Sequence, residues 1–163
     1  MDENSFMLSI PVAPHVYKFL NSLFGEFYYL SMGDSLGSFI IGMLQKEQKM
    51  LYYSLKPMKE KKMYKIVASN SIYEKQGIQL NEREIRYIGV VVDNYFREQC
   101  FSTAIFAKQQ YGKEIAVSIR DFCQFYNITD EDINYESLYR HFFRKRDENF
   151  PNFVSNLCKK AGL

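Results

Sequence analysis

The sequence predicts an α+β fold dominated by helices. It has a small strand-helix-strand-helix N-terminal half, a long central helix and a C-terminal tri-helical unit of helix-turn-helix type. Three observations predict it. Apolar residues in the first fifty positions switch between strand-like runs and helical spacing, with Pro and Gly at the switches. From Asn81 to about Gln110 the chain runs without Pro and with Gly89 as its only Gly. After Gly112 two short amphipathic stretches are joined by a tight connection. The expected division is an α+β region over residues 1–78 and a helical region over residues 79–163.

Met7 to Ile10 reads as a strand bounded by Pro11 and Pro14. Val16, Phe19, Leu20 and Leu23 then recur at helical spacing until Gly25 stops the helix. Glu26 to Ser31 is rich in strand formers. Gly33 and Asp34 introduce a second helix through Leu36, Phe39, Ile40, Met43 and Leu44, with Asp34 or Ser35 as its cap. Gly33, Gly37 and Gly42 have the wrong spacing for a phosphate cradle and suit close helix packing instead.

Between Lys46 and Lys65 the character changes to a local net charge of +5, with Pro57 interrupting regular structure. Two readings stay open. The segment is either a solvated linker or hairpin tip, or a phosphate-contacting arm in which Lys59, Lys61 and Lys62 sit among tyrosines.

Met63 to Ser69 is a further strand, and Ser71 to Lys75 a short helix ending at Gly77. Asn81 followed by Glu84 marks the start of the long helix. Ile85, Ile88, Val92, Phe96, Cys100 and Ala104 lie along one face of it, widened by Tyr87, Val91 and Tyr95.

Composition bounds the function. The chain has 163 residues and 19.3 kDa, with 47% hydrophobic, 25% charged and 17% aromatic residues and no Trp. These values suit one globular unit that needs neither metal nor disulfide to fold. A net charge of only +2 makes any basic patch local. Three cysteines without a CxxC pair and two distant histidines argue against a zinc site and against a secreted disulfide framework. The N-terminus is acidic before its apolar part, and no run approaches the roughly 18 apolar residues of a membrane span. The expected compartment is a reducing cytoplasm, without membrane contact.

The most informative pattern lies in the last sixty residues. Lys113 to Tyr126 puts Ile115, Ile119, Phe122 and Tyr126 on one helical face, with Ala116 and Cys123 beside them. Asn127 to Thr129 turns the chain, and Thr129 with Asp132 caps a brief turn. Asn134 then caps Tyr135 to Arg146, whose Leu138 and Phe142 face inward, with Tyr135 a further candidate for that face. Ser137, Arg140, His141, Arg144 and Lys145 face mostly outward. Two short helices, the second with an apolar stripe and a basic outer face, meet the requirement of a helix-turn-helix unit. Arg pairs with phosphates and with guanine edges. A plain helical bundle or a protein-binding surface uses the same elements, and the helix dipole accounts for Arg144, Lys145 and Arg146 better than for Arg140. The candidate DNA contacts are Lys113, Ser137, Arg140, His141, Arg144, Lys145 and Arg146, with Lys59, Lys61 and Lys62 from the lysine segment.

This arrangement resembles small proteins encoded by phages and mobile elements of gut Bacteroidetes-type bacteria. The likeness lies in Ile10-Pro11-Val12 followed by a helix to Phe24-Gly25. It continues in Ser118-Ile119-Arg120-Asp121-Phe122, then Tyr135, Ser137 and Phe142 near Arg144. The resemblance spans most of the chain. It implies a phage or mobile-element context and helix-turn-helix DNA binding, and it supplies no catalytic residues.

Enzyme signatures are sparse. There is no Walker A loop, GxSxG elbow, HExxH or dinucleotide glycine motif. The pairs Tyr28-Tyr29 and Tyr52-Tyr53 lack the basic cluster that a DNA-cutting tyrosine needs. Glu82, Glu84, Asp93 and Glu98 spread around a helix and read as solvated surface rather than a magnesium site. Cys123 falls on an inward face as an inert thiol, and His15 reads as structural. No cofactor is expected. The leading expectation is a non-enzymatic DNA-binding protein in transcription control or genome replication. The alternative is an assembly or host-takeover factor that binds protein. The helix from Asp34 to Lys46 is apolar nearly all round, which predicts a homodimer or homotetramer built on the N-terminal half.

Overall fold

A computed structural model describes residues 5–44, 61–69 and 82–145 of the chain. The described elements are β1 (Ser5–Val12), α1 (Pro14–Phe24), β2 (Phe27–Tyr29), α2 (Ser35–Leu44), β3 (Lys62–Ser69), α3 (Glu82–Tyr111), α4 (Ile115–Phe125) and α5 (residues 135–145). Helices dominate, and the strands come from the N-terminal half, as the sequence predicts. The expected helix over Ser71 to Lys75 and the cap at Asn81 lie outside the described residues. So do most of the lysine segment, Lys59 and Arg146.

The sheet order is β1-β3-β2. β3 pairs antiparallel with β1, Ile10 opposite Tyr64, and parallel with β2, Tyr28 opposite Ile66. β1 is longer than expected, running through Pro11 to Val12. An edge strand tolerates Pro because half of its N–H groups need no ladder partner. The inner sheet face carries Ile10, Tyr64, Ile66 and Tyr28, all buried, and α3 packs against β1.

α1 begins with Pro14 at its first turn and ends at Gly25, whose N–H bonds the Asn21 carbonyl at 2.9 Å. Asp34 caps α2: its Oδ1 accepts the Gly37 N–H at 2.8 Å, while the Tyr28 hydroxyl donates to the same carboxylate at 2.7 Å. Of the three glycines assigned to close helix packing, Gly37 does sit at a close approach, but its nearest neighbours belong to the Ser31 turn and to Tyr28 of β2 rather than to another helix. A Cβ there would stand 1.9 Å from the Ser31 carbonyl oxygen and 2.6 Å from the Tyr28 hydroxyl. Gly42 sits at no close approach, since nothing lies within 4 Å of a Cβ there. Leu36, Ile40 and Ile41 are buried, but Phe39 is 58% exposed. Among the described residues, α2 is therefore buried along the side of Leu36, Ile40 and Ile41, and Phe39 lies outside that side.

α3 spans 30 residues and serves as the spine of the molecule. Ile88, Val92, Phe96, Cys100 and Ala104 are buried along it, following the predicted face. Gly112, at φ +64°, ends it in a left-handed conformation that other residues adopt at a cost, its N–H bonded to the Lys108 carbonyl. α1, α3 and α4 meet at an aromatic knot. The ring centroids of Phe19 and Phe96 are 5.3 Å apart, those of Phe96 and Phe122 5.7 Å, and those of Phe19 and Tyr126 4.9 Å. One buried cluster thus runs from the sheet into the helical region. Burial pushes the Cys100 thiol up to about 12 and the Cys123 thiol up to about 11, so both are poor nucleophiles near neutral pH.

Candidate nucleic-acid interface

The C-terminal unit is assembled by local capping. Asn127, at φ 54°, turns the chain after α4. The Asp132 carboxylate accepts from the Thr129 N–H at 2.8 Å and from its hydroxyl at 3.0 Å. Asn134 caps α5 through its side-chain oxygen, which accepts the Glu136 N–H at 2.8 Å. Leu138 and Phe142 are buried, with Phe142 stacked 5.0 Å from Phe101 of α3. The opposite side of α5 is thereby left to its polar residues.

Those residues meet α3 across an open cleft of about 500 Å³. Ser137, Arg140, His141 and Arg144 line it from α5, and Asn94 and Arg97 line it from α3. Glu136 is the one carboxylate of the lining, and no lining residue is aliphatic, Phe or Tyr. Arg140 donates to Glu136 at 2.6 Å, an exposed i,i+4 pair of small net worth that a phosphate can displace. Arg144 donates to His141 Nδ1 at 3.1 Å, so in this arrangement the ring proton sits on Nε2.

Four predicted contacts, Ser137, Arg140, His141 and Arg144, therefore share one site. Of the other described candidates, Lys61, Lys62, Lys113 and Lys145, none lines it. Lys145, expected to face mostly outward, turns back to α3, where it pairs with Glu98 and sits 5.5 Å above the Phe101 ring. Its aliphatic stem gains apolar cover there while the ammonium finds a carboxylate, and the side chain is only 23% exposed. Lys113 pairs with Asp121 and lines a separate groove with Phe106, Tyr111 and Phe125. Lys61 and Lys62 are exposed at the start of β3, Lys62 standing 5.2 Å above the Tyr17 ring.

Arg97 and Asn94 escaped the sequence reading. Arg97 donates through Nε to Asp93 Oδ2 at 2.7 Å. The other Asp93 oxygen accepts from His15 Nε2 at 2.7 Å, and His15 Nδ1 stands 3.3 Å from the Asp132 carbonyl oxygen. His15 is 5% exposed and lies 5.0 Å from the Phe96 ring. Lys18 of α1 donates to the Asp132 carboxylate at 2.5 Å. The structural role expected of His15 is thus specific: it joins α1 to α3 and to the turn before α5. The i,i+4 spacing of Asp93 and Arg97 was the available signal, but spacing alone does not separate a solvated pair from a clamped one.

Burial raises the Asp93 carboxyl, but hydrogen bonds from His15 and Arg97, with their charge, outweigh it and hold the group below the ordinary carboxylate range. Asp132 is likewise raised by burial and lowered further by Lys18 and Thr129. Unfolded aspartate titrates near ~3.9, so the unfolded chain binds more protons in acid. The stability from these two groups is complete above roughly pH 5 and fades as pH falls through 4 toward the folded values. Urea midpoints measured from pH 7 to 3 should show this acid limb, and Asp93→Asn should flatten it. An unchanged limb in that variant would dismiss Asp93 as a contributor.

Among the described residues, no three of His, Cys, Asp and Glu gather as a metal site, and no helix is long and apolar enough to cross a membrane. Tyr28 is buried, and burial and its bond to Asp34 both raise its hydroxyl, the reverse of an activated nucleophile. Comparison with protein-family models, curated proteins and solved structures gives no match to this chain.

Proposed function

We propose that the chain is a non-enzymatic DNA-binding protein of a phage or mobile element, acting in the cytoplasm in transcription regulation or genome replication. The observation that carries this reading is the cleft in which Arg140 and Arg144 meet Arg97 with a single lining carboxylate. Exposed guanidinium groups of this kind release counterions from a phosphate backbone and bind it with strong salt dependence. Duplex DNA is the preferred target, with α5 presented to the major groove.

The test is an electrophoretic shift with random duplex, single strand and RNA at two salt concentrations. Arg140→Ala with Arg144→Ala should abolish most binding and lower the log-log salt slope by roughly 0.9 per lost phosphate contact. Both residues are exposed, so the fold should lose about 0.5 kcal/mol or less at each. Unchanged binding by the folded double variant would remove α5 from the interface.

The protein is further proposed to be a homodimer or homotetramer through its N-terminal half, a reading supported by the exposed Phe39 on α2. Light scattering at micromolar concentration should give a multiple of 19.3 kDa, and Phe39→Asp should return it to one subunit. A single-subunit mass for the unaltered protein would refute this.

A second reading, a protein-interaction factor, is favoured by Phe106, Tyr111 and Phe125, exposed around a groove of about 410 Å³. No shift with any nucleic acid at low salt would favour it over the first.

A further inference from the structure

We infer that the α3–α5 cleft is a site for a single phosphate group, with Arg97 of the long helix as its fixed anchor. The inference rests on the reading of α5 as a nucleic-acid surface and adds to it a contact from outside the helix-turn-helix unit. Three observations carry it.

The first is donor geometry. A guanidinium has five N–H donors. Asp93 takes the Nε of Arg97, and among the described residues its two Nη groups donate to no acceptor. The side chain is 19% exposed and lines the cleft beside Arg140 and Arg144. An anion seated there meets a planar fork on one wall and two displaceable guanidinium groups on the other. Ser137 and Asn94 supply neutral polar groups between them. This is the donor set for tetrahedral oxygens.

The second is preorganisation. The chain of contacts from His15 to Asp93 to Arg97, each hydrogen bond 2.7 Å long, holds the guanidinium before any ligand arrives. His15 is itself locked against Phe96 in the core. Binding therefore spares the rotamer entropy that a free surface arginine loses. Asp93 and Glu136 return negative charge to the neighbourhood, so the field is modest and the fork's direction matters more than net charge.

The third is what the lining lacks. With no aliphatic, Phe or Tyr residue in it, the cleft offers a base no apolar wall, and charged and hydrogen-bonding donors dominate the lining. Such a lining favours phosphate, so the Arg97 contact fixes position and register.

The experiment uses the full chain, with Arg97→Gln checked for folding by circular dichroism. Random duplex DNA is titrated across a salt series, and inorganic phosphate is titrated into the ¹⁵N-labelled unaltered protein. The expected result is a salt slope lowered by roughly 0.9 and affinity down about ten- to a hundred-fold in Arg97→Gln. Inorganic phosphate should shift the Arg97 side-chain and Ser137 amide signals of the unaltered protein. A wild-type slope in folded Arg97→Gln, with no shift of those signals, overturns the inference, while the Arg140 and Arg144 variants still judge α5. Phosphate shifts at Arg97 without retention of any nucleic acid would sustain the phosphate site and overturn the nucleic-acid reading. If Arg97→Gln does not fold, the phosphate titration decides alone, and silent Arg97 and Ser137 signals overturn the inference.

Discussion

Phe96→Ala is expected to destabilise the protein by about 3–5 kcal/mol, the usual cost of deleting a fully buried aromatic ring. Phe96 is fully buried at the crossing of three helices, in contact with the rings of Phe19, Phe122 and His15. Its loss leaves a cavity that none of the three can fill without moving its helix, because the neighbouring aromatics already contact one another. For a chain of this size about 1 kcal/mol corresponds to roughly 2–4 °C, so the melting temperature should fall by about 6–20 °C. Urea unfolding followed by circular dichroism measures it. Phe125→Ala is the control: that ring is 77% exposed and should change stability by about 0.5 kcal/mol or less. A loss under about 1 kcal/mol at Phe96 would mean that α1, α3 and α4 are not joined through this ring. Because His15 packs on Phe96, the variant should also loosen the Asp93–Arg97 clamp and weaken phosphate binding.

The second large effect is expected from a single added methyl group. Gly37→Ala places a Cβ 1.9 Å from the Ser31 carbonyl oxygen and 2.6 Å from the Tyr28 hydroxyl. The first neighbour is backbone and cannot rotate away, so α2 must shift or the Ser31 turn must open. Either movement breaks the Asp34 cap, to which both the Gly37 N–H and the Tyr28 hydroxyl are bonded. Overpacking usually costs about 1–3 kcal/mol, and with the lost cap about 3 kcal/mol or more is expected. Gly42→Ala in the same helix meets nothing within 4 Å. Replacing a glycine inside a helix should there add about 0.5–1 kcal/mol of stability. Thermal melts of the two variants should therefore move in opposite directions. Equal melting temperatures would show that the Ser31 turn does not hold α2 closely.

The sequence by itself determined the helix-dominated α+β class, the length of α3 and its buried face. It also determined the Asn134 cap and the Gly112 stop, and narrowed the cap of α2 to Asp34 or Ser35. These depend on local rules: the periodicity of apolar residues, side-chain oxygens reaching nearby N–H groups, and the conformational freedom of glycine. Leu138 and Phe142 inside with Arg140 and Arg144 outside followed from the same periodicity. The tertiary structure alone decided that Lys145 folds back onto Glu98, that Gly37 and not Gly42 sits at a close approach, and that Pro11 lies inside an edge strand. It alone decided that His15, Asp93 and Arg97 form one chain of contacts ending in the cleft. His15 and Asp93 are separated by 78 positions, and no periodicity relates positions that far apart. Whether an exposed-looking arginine is solvated or clamped depends on which helix crosses beside it, and that is fixed by the aromatic knot at Phe19, Phe96 and Phe122, formed only when three distant segments pack together.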